Sequence, residues 1–138
     1  VTAHNDVVFA MQNQAGPEQR LPLVGIWRAN GEIELFDLPA SLKRGYIGSV
    51  AVDNSNTIAA ASAPRDNLIT FWSIDSGQLL TTLTLTDGCG LAASRAPQSF
   101  IISSGQGDLI EAVVINREIK VRRKRMFDLH WDNHLTAN

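Results

Sequence analysis

Cysteine is all but missing from this sequence: Cys89 is the single one in 138 residues, which excludes an intrachain disulfide and any zinc site built on several thiolates. Excess positive charge is missing too. Lys and Arg number 12 against 14 Asp and Glu, a formal net charge of −2, so the chain lacks the basic balance that recruits nucleic acid, and nucleic acid is not an expected partner. No apolar run approaches the roughly 18 residues that a membrane-crossing helix needs, so no transmembrane segment is expected. Val1 is followed by polar Thr2, His4, Asn5 and Asp6 rather than by a basic and then apolar leader. A start on Val instead of Met reads as a processed end or as a cut inside a longer protein. Catalytic signatures are absent as well: there is no Gly-x-Ser-x-Gly elbow, no phosphate loop with Lys-Ser or Lys-Thr after its glycines, and no His-Glu-x-x-His.

What is present is a strand pattern. Helical periodicity is poor, and short β-branched or aliphatic runs alternate with Gly, Asn, Asp, Ser and Pro, as in an all-β chain. With 44% hydrophobic residues the chain can bury a core as one domain. Strands are expected at about 7–12, 23–28, 32–37, 48–53, 57–62, 68–73, 78–84, 90–94, 99–104, 109–115 and 118–123, with hairpin turns at Asn30-Gly31 and Asp75-Ser76-Gly77.

The strands repeat. A step of 41 residues takes Leu68-Ile69 to Leu109-Ile110, Asn67 to Asp108, Ile74 to Ile115 and Val50 to Leu91, and a step of 45 takes Trp27 and Asn30 to Trp72 and Asp75. A period of about 40–45 residues with four strands per unit is the signature of a β-propeller blade. The competing reading is a two-sheet sandwich with coincidental turn spacing. The propeller reading makes 1–138 the C-terminal part of a β-propeller domain, with about two to three blades over 1–40, 41–86 and 87–126 and a closing segment at 127–138. The first unit has no residues for an inner strand. Propellers close with roughly 4–8 blades, so missing N-terminal blades or self-association are expected.

Three connections stand out. The polar loop from Gln14 to Arg20 reads as surface. The connection from Leu42 through Lys43, Arg44, Gly45, Tyr46 and Ile47 to Gly48 leads into one blade, and Asp87-Gly88-Cys89-Gly90 sits in the equivalent place one blade later. Cys89 has no base nearby in sequence to lower its pKa, so a buried thiol is the simpler reading. Ser104-Gly105-Gln106-Gly107 reads as a turn between middle strands. Lys120, Arg122, Arg123, Lys124 and Arg125 form the one dense charge run, best read as a solvated edge strand whose alternation turns Lys120, Arg122 and Lys124 outward and whose cations block sheet pairing.

The closing segment crowds two of the three histidines and a tryptophan into nine residues. As a strand it puts Asp128, His130, Asp132 and His134 on one face and Phe127, Leu129, Trp131 and Leu135 on the other. As a helix it stacks Phe127, Trp131 and Leu135, and pairs His130 with His134. Imidazoles and carboxylates suit a transition metal ion, making His130, Asp132 and His134 candidate metal ligands, with His4 as a further donor. Strand spacing spreads them by roughly 6–7 Å per pair of residues, so one ion would require a bend. The plainer reading has Trp131 and Leu135 pinning the tail so that it closes the ring.

Several stretches together resemble a bacterial family of exported proteins of unknown function: Arg44 to Asp53, Ala60 to Arg65, Asp87 to Gly90, Ser104 to Gly107, and Trp131-Asp132-Asn133-His134-Leu135. They fall in order over the last two thirds of the chain. The resemblance implies a propeller-like fold, a periplasmic or otherwise extracytoplasmic location, a gene often placed beside imelysin-type iron-uptake components, and a protein partner in such a system. It carries no catalytic residues. Its motifs mark Arg65, Cys89, Trp131, Asp132, Asn133 and His134 as candidate ligand-binding positions. The loop Ala63-Pro64-Arg65-Asp66-Asn67 is less glycine-rich than that family's form. The function expected is therefore a non-enzymatic, ligand- or protein-binding propeller in bacterial iron acquisition. The alternatives are a metal-dependent enzyme using the C-terminal His/Asp cluster, and a cytoplasmic WD-repeat-like scaffold. The scaffold reading is supported by the run from Phe71 to Gly77 and opposed by the missing Gly-His dipeptide.

Overall fold

The computed structural model describes residues 1–14, 20–37 and 39–136. The loop expected at Gln14 to Arg20 lies mostly outside the described residues. Among those described there are eleven strands in three antiparallel sheets and no α-helix. The first sheet is β1 (Val7–Ala10), β2 (Val24–Trp27) and β3 (Ile33–Leu35); the second is β4 (Ser49–Val52), β5 (Ile58–Ala63), β6 (Leu68–Ser73) and β7 (Leu79–Thr84); the third is β8 (Gly88–Ala93), β9 (Ser99–Ser104), β10 (Asp108–Ile115) and β11 (Glu118–Met126). Strands within a sheet pair in sequence order, each sheet an up-and-down meander. The expected hairpins close as their residues dictate, with Gly31 donating to the Arg28 carbonyl and Gly77 to that of Ser73.

The sheets stack face on face, with β4 and β8 side by side and β1 next to β4. The second sheet is therefore buried on both sides, and its sequence explains how. Along β5, Ala59, Ala61 and Ala63 enter one core with Leu23, Val24, Ile26, Phe36, Leu68 and Trp72. Alternation sends Ile58 and Ala60 into the other core, with Ile69, Phe71, Phe100, Ile102, Ile110, Ala112 and Val114. Small β5 side chains leave room for the aromatic residues on either side: Phe36 meets Trp72 at 5.9 Å and Phe71 meets Phe100 at 5.5 Å between ring centroids. A strand wrapped on both faces reads as a continuous apolar run rather than as an amphipathic one.

Inner strands of adjacent sheets do not pair through their backbones; side chains tie them. The Leu91 amide donates to Ser49 Oγ at 3.3 Å, Ser62 Oγ donates to the Cys89 carbonyl, and Asn54 Nδ2 donates to the Ser94 carbonyl at 2.9 Å. Asp53 adds a buried tie through Gln98. Only 2% exposed, its carboxylate accepts the amides of Ser55 (2.9 Å), Thr57 and Ile58 (both 2.8 Å) and, across to the third sheet, Gln98 (2.8 Å). Burial opposes its ionisation, but the bonds from Ser55, Ile58 and Gln98 outweigh burial and hold its pKa below the ordinary value of 3.8.

Pairing corrects the 41-residue step on one strand. Ala59 opposes Trp72 and Phe100 opposes Ala112, so the step stays 41 from β5 to β9 but is 40 from β6 to β10. The β9–β10 connection is one residue shorter than the β5–β6 one, so Leu68 and Leu109 face opposite ways. Two further readings change. Of Asp87-Gly88-Cys89-Gly90 only Asp87 lies in the connection, which runs from Leu85 to Asp87, because Gly88 and Cys89 join Gly90 in β8. On β11, a bulge between the Glu111 and Ala112 pairings breaks the outward alternation expected of Lys120, Arg122 and Lys124. All five cations of the run are exposed, with Arg123 near Glu111 (3.5 Å) and Lys124 on Asp108 (3.0 Å).

Candidate functional site at the end that carries the C-terminal strap

Antiparallel meanders gather their connections at two ends. One end holds the β5–β6 turn, the β9–β10 turn and the connections into β4 and β8. The segment after β11 crosses this end as an irregular strap, neither the strand nor the helix considered from sequence. It starts at the β9–β10 turn, where the Phe127 amide donates to the Gly107 carbonyl at 2.9 Å and His130 Nδ1 donates to the Gly105 carbonyl. A carbonyl can only accept, so Nδ1 carries the proton. Phe127 and Trp131 meet edge to face, 5.8 Å between centroids.

From Trp131 the strap lies along the inner strands. Trp131, Asn133 and Leu135 are half-buried while Asp132, His134 and Thr136 are exposed. Two glycines permit the close approach. A side chain at Gly90 would strike Leu135 Cγ at 2.8 Å and the Asp132 carbonyl at 3.2 Å, and one at Gly48 would meet Asn133 Oδ1 at 2.9 Å and Pro64 Cγ at 3.1 Å. Cys89, 3% exposed, directs its Sγ to the Trp131 carbonyl at 3.5 Å and the Ser103 carbonyl at 3.6 Å. It is a buried fastener under the strap, not an accessible loop thiol.

Arg65 and Asn133 come together through Tyr46. Asn133 Nδ2 donates to the Tyr46 hydroxyl at 3.2 Å, and the exposed Arg65 guanidinium lies over the Tyr46 ring, 4.6 Å from its centroid. Arg65 sits in a single 3₁₀ turn, Pro64–Asp66, closed by Asn67 at φ 53°. Asn supplies the left-handed conformation there, which is why this loop does without glycine. Asp66 then accepts the amides of Lys43 and Arg44, both at 3.0 Å, fixing the connection that carries Tyr46. Further along, Leu135 and Thr136 border a groove of about 340 Å³ between Val50, Asn54, Leu91 and Arg95.

The proposed metal ligands do not converge. His130 is turned down onto Gly105, Asp132 Oδ1 accepts the Asn133 amide at 2.7 Å, and His134 is exposed. Among the described residues no three His, Cys, Asp or Glu side chains form a group able to hold a metal ion. His4 lies at the opposite end, where it lines a cavity of about 250 Å³ with Thr2, Asp6, Arg28, Ser73 and Asp75. Arg28 spans that cavity wall, donating to Glu34 (2.7 Å), Asp6 (3.4 Å) and the Ile74 carbonyl (2.7 Å). The bond to Glu34 raises the Arg28 pKa and lowers that of Glu34.

In the sequence Tyr46 stands out only as a member of the connection from Leu42 to Gly48, and neither Asp53 nor the Asp66 clamp is marked. The run Asp53-Asn54-Ser55-Asn56-Thr57 was the available signal, since an Asp followed by such residues brackets its own turn.

Stacked antiparallel meanders of three, four and four strands, with the connections into β4 and β8 gathered at one end, give the chain a β-propeller-like fold. The WD40 repeats of RRP9 align with a TM-score of 0.63 at 18% identity, over 83% of this chain and 35% of theirs. A structure titled as U3-55K gives 0.63 at 18% over 83% and 36%, and a chain of a mitotic checkpoint complex gives 0.66 at 16% over 88% and 37%. The chain thus spans little more than a third of the propellers it matches, and at these identities the likeness concerns the fold alone. No curated protein matches the sequence. By its sequence the chain belongs to the family described as "Protein of unknown function (DUF1513)", which matches over residues 1–138.

Proposed function

We propose that this chain is a ligand- or protein-binding part of a non-enzymatic β-propeller, and that binding takes place at the end crossed by the C-terminal strap. One observation carries the reading. Arg65, Tyr46 and Asn133, from three separate segments, are locked into one surface unit, and among the described residues the Arg65 guanidinium has no carboxylate partner. A guanidinium held flat on an aromatic ring keeps its outward N–H donors free for a carboxylate, phosphate or backbone carbonyl of an incoming molecule. Asp132 and His134, exposed on the outer side of the strap, frame that surface. An extracytoplasmic location and a protein partner in bacterial iron acquisition belong to the same proposal; their support is the family resemblance in the motif stretches.

The test is retention of partners from cells grown with and without iron limitation, using the full-length protein and its Arg65→Ala/Asn133→Ala variant. Loss of a retained partner in the variant, with unchanged melting, supports the proposal. Equal retention by both proteins, or none by either, removes it.

A further inference from the structure

β11 carries a surface that its place in the sheet does not account for. It is the outermost strand of the third sheet, bonded to β10 along one edge and, among the described residues, to no strand along the other. From Glu118 to Met126 only Ile119 is partly covered, and every other residue is exposed. Five of the chain's 12 Lys and Arg residues stand in these nine positions against one of its 14 Asp and Glu residues, so a net-positive strand borders a chain whose formal charge is −2. An extended backbone of this length spreads the cations along roughly 30 Å.

A bulge or a charge is an ordinary guard against sheet pairing, and β11 has the bulge opposite Glu111 and Ala112 as well as five cations. Little on the chain neutralises them. Arg123 stays 85% exposed beside Glu111, and Lys124 reaches Asp108; among the described residues Lys120, Arg122 and Arg125 have no carboxylate partner. Apolar side chains stand among the charges. Val121 is exposed, Met126 is 71% exposed at the end of the strand, and Phe127 and Leu129 follow it into solvent at the start of the strap. Exposed apolar residues on an edge invite pairing, so protection of the edge explains the cations and not this mixture.

We propose that the β11 edge and the start of the strap form a docking surface for an anionic lipid bilayer, with the cations on lipid phosphates and Met126 and Leu129 in the headgroup layer. Three features select a membrane over an acidic protein. Clusters of about 4–8 cations bind anionic headgroups, and apolar side chains beside them add burial at the boundary of the acyl chains. The cations are also not fixed in place. Arg65 is held on the Tyr46 ring, as suits one defined ligand, whereas Lys120, Arg122 and Arg125 are free to meet headgroups that rearrange around them. Finally, β11 touches β10 and β7 and leaves its outer edge clear along its length, a line of contact that suits an extended surface. The rest of the chain is net negative and is repelled by the same surface, which orients the molecule with β11 toward it.

The test is flotation of the full-length protein with vesicles of equal parts phosphatidylcholine and phosphatidylglycerol, against vesicles of phosphatidylcholine alone. The parent floats with the anionic vesicles only and is released as salt is added, a readout that needs no substitution should a variant melt early. Lys120→Gln/Arg122→Gln/Arg125→Gln lowers partitioning about 100-fold, the effect of removing three cations from such a surface, and leaves melting unchanged because all three side chains are exposed. Met126→Ser/Leu129→Ser lowers partitioning several-fold and keeps the salt dependence. Four results overturn the proposal: no flotation with either vesicle; equal flotation with both, which assigns binding to apolar surface alone; equal partitioning of the parent and the triple variant; or soluble polyglutamate bound as tightly as the anionic vesicles, which makes an acidic protein segment the partner.

Discussion

Trp27 and Trp72 occupy corresponding places in successive sheets, are flanked by the same kind of turn, and differ in one respect: a sheet lies over Trp72 and not over Trp27. The second sheet, covered on both faces, shows what this architecture demands of a blade. Small side chains in β5 let large ones from both neighbours approach, and one buried carboxylate, Asp53, bolts its inner turn to the next sheet. The first sheet meets the same demand on one face only. Stability in this fold is therefore a property of interfaces between sheets and not of any sheet alone, as in other repeat architectures.

The largest expected effect tests that contrast directly. Trp72→Ala should cost about 3–5 kcal/mol, the range for emptying an aromatic site in a packed core, whereas Trp27→Ala in this chain should fall within about 0.5 kcal/mol, as for exposed positions. Paired urea titrations measure both, and equal losses would break the comparison. Asp53→Asn comes next at about 1–3 kcal/mol, since an amide cannot accept on both atoms and leaves buried N–H groups unpaired. The linkage has a definite sign. The folded pKa of Asp53 is depressed, so its contribution is complete above the ordinary value of 3.8 and is lost as pH falls through the lower folded value. Unfolding curves taken as the pH is lowered from neutrality to below the ordinary carboxylate value should lose stability in the parent and lose less in Asp53→Asn.

A smaller effect belongs to the strap. Asn133→Ala removes the bond to Tyr46 and should cost about 0.5–1.5 kcal/mol, with faster amide exchange confined to the segment after β11. If exchange accelerates throughout the third sheet, the strap is part of the core and the binding proposal loses its separable surface. Smallest is Glu34→Gln, which weakens the clasp on Arg28 at a half-exposed site. Its cost should be a few tenths of a kcal/mol, about the size of a surface ion pair, and should shrink as salt is added.

Much of the fold was legible because it rests on local chemistry. Asn30-Gly31 and Asp75-Ser76-Gly77 close hairpins through their own backbone preferences, alternation assigned the strands, and the spacing of Trp27 and Trp72 carried the repeat. The errors have physical causes. A loop one residue shorter moved the step from 41 to 40 on β10. Gly88, read as a loop residue, is a strand residue whose missing side chain makes way for Ile69 and Leu85, and Gly90 two residues on makes way for Leu135. The bulge opposite Ala112 undid the alternation on β11. His130, Asp132 and His134 looked like a ligand set because adjacency in sequence suggests adjacency in space, but the Gly105 carbonyl turned His130 away.

The amino-acid sequence by itself determined the strand content, the hairpins and the period of the repeat, since each follows from residues within a few positions of one another. Only the tertiary structure decided that Cys89 is a fastener, that Asp53 bolts two sheets, that Arg65 and Asn133 share Tyr46, and that two equivalent tryptophans have opposite environments. Those facts depend on which surface lies across from a residue, and contacts between segments 14 to 87 positions apart leave no local pattern from which to read them.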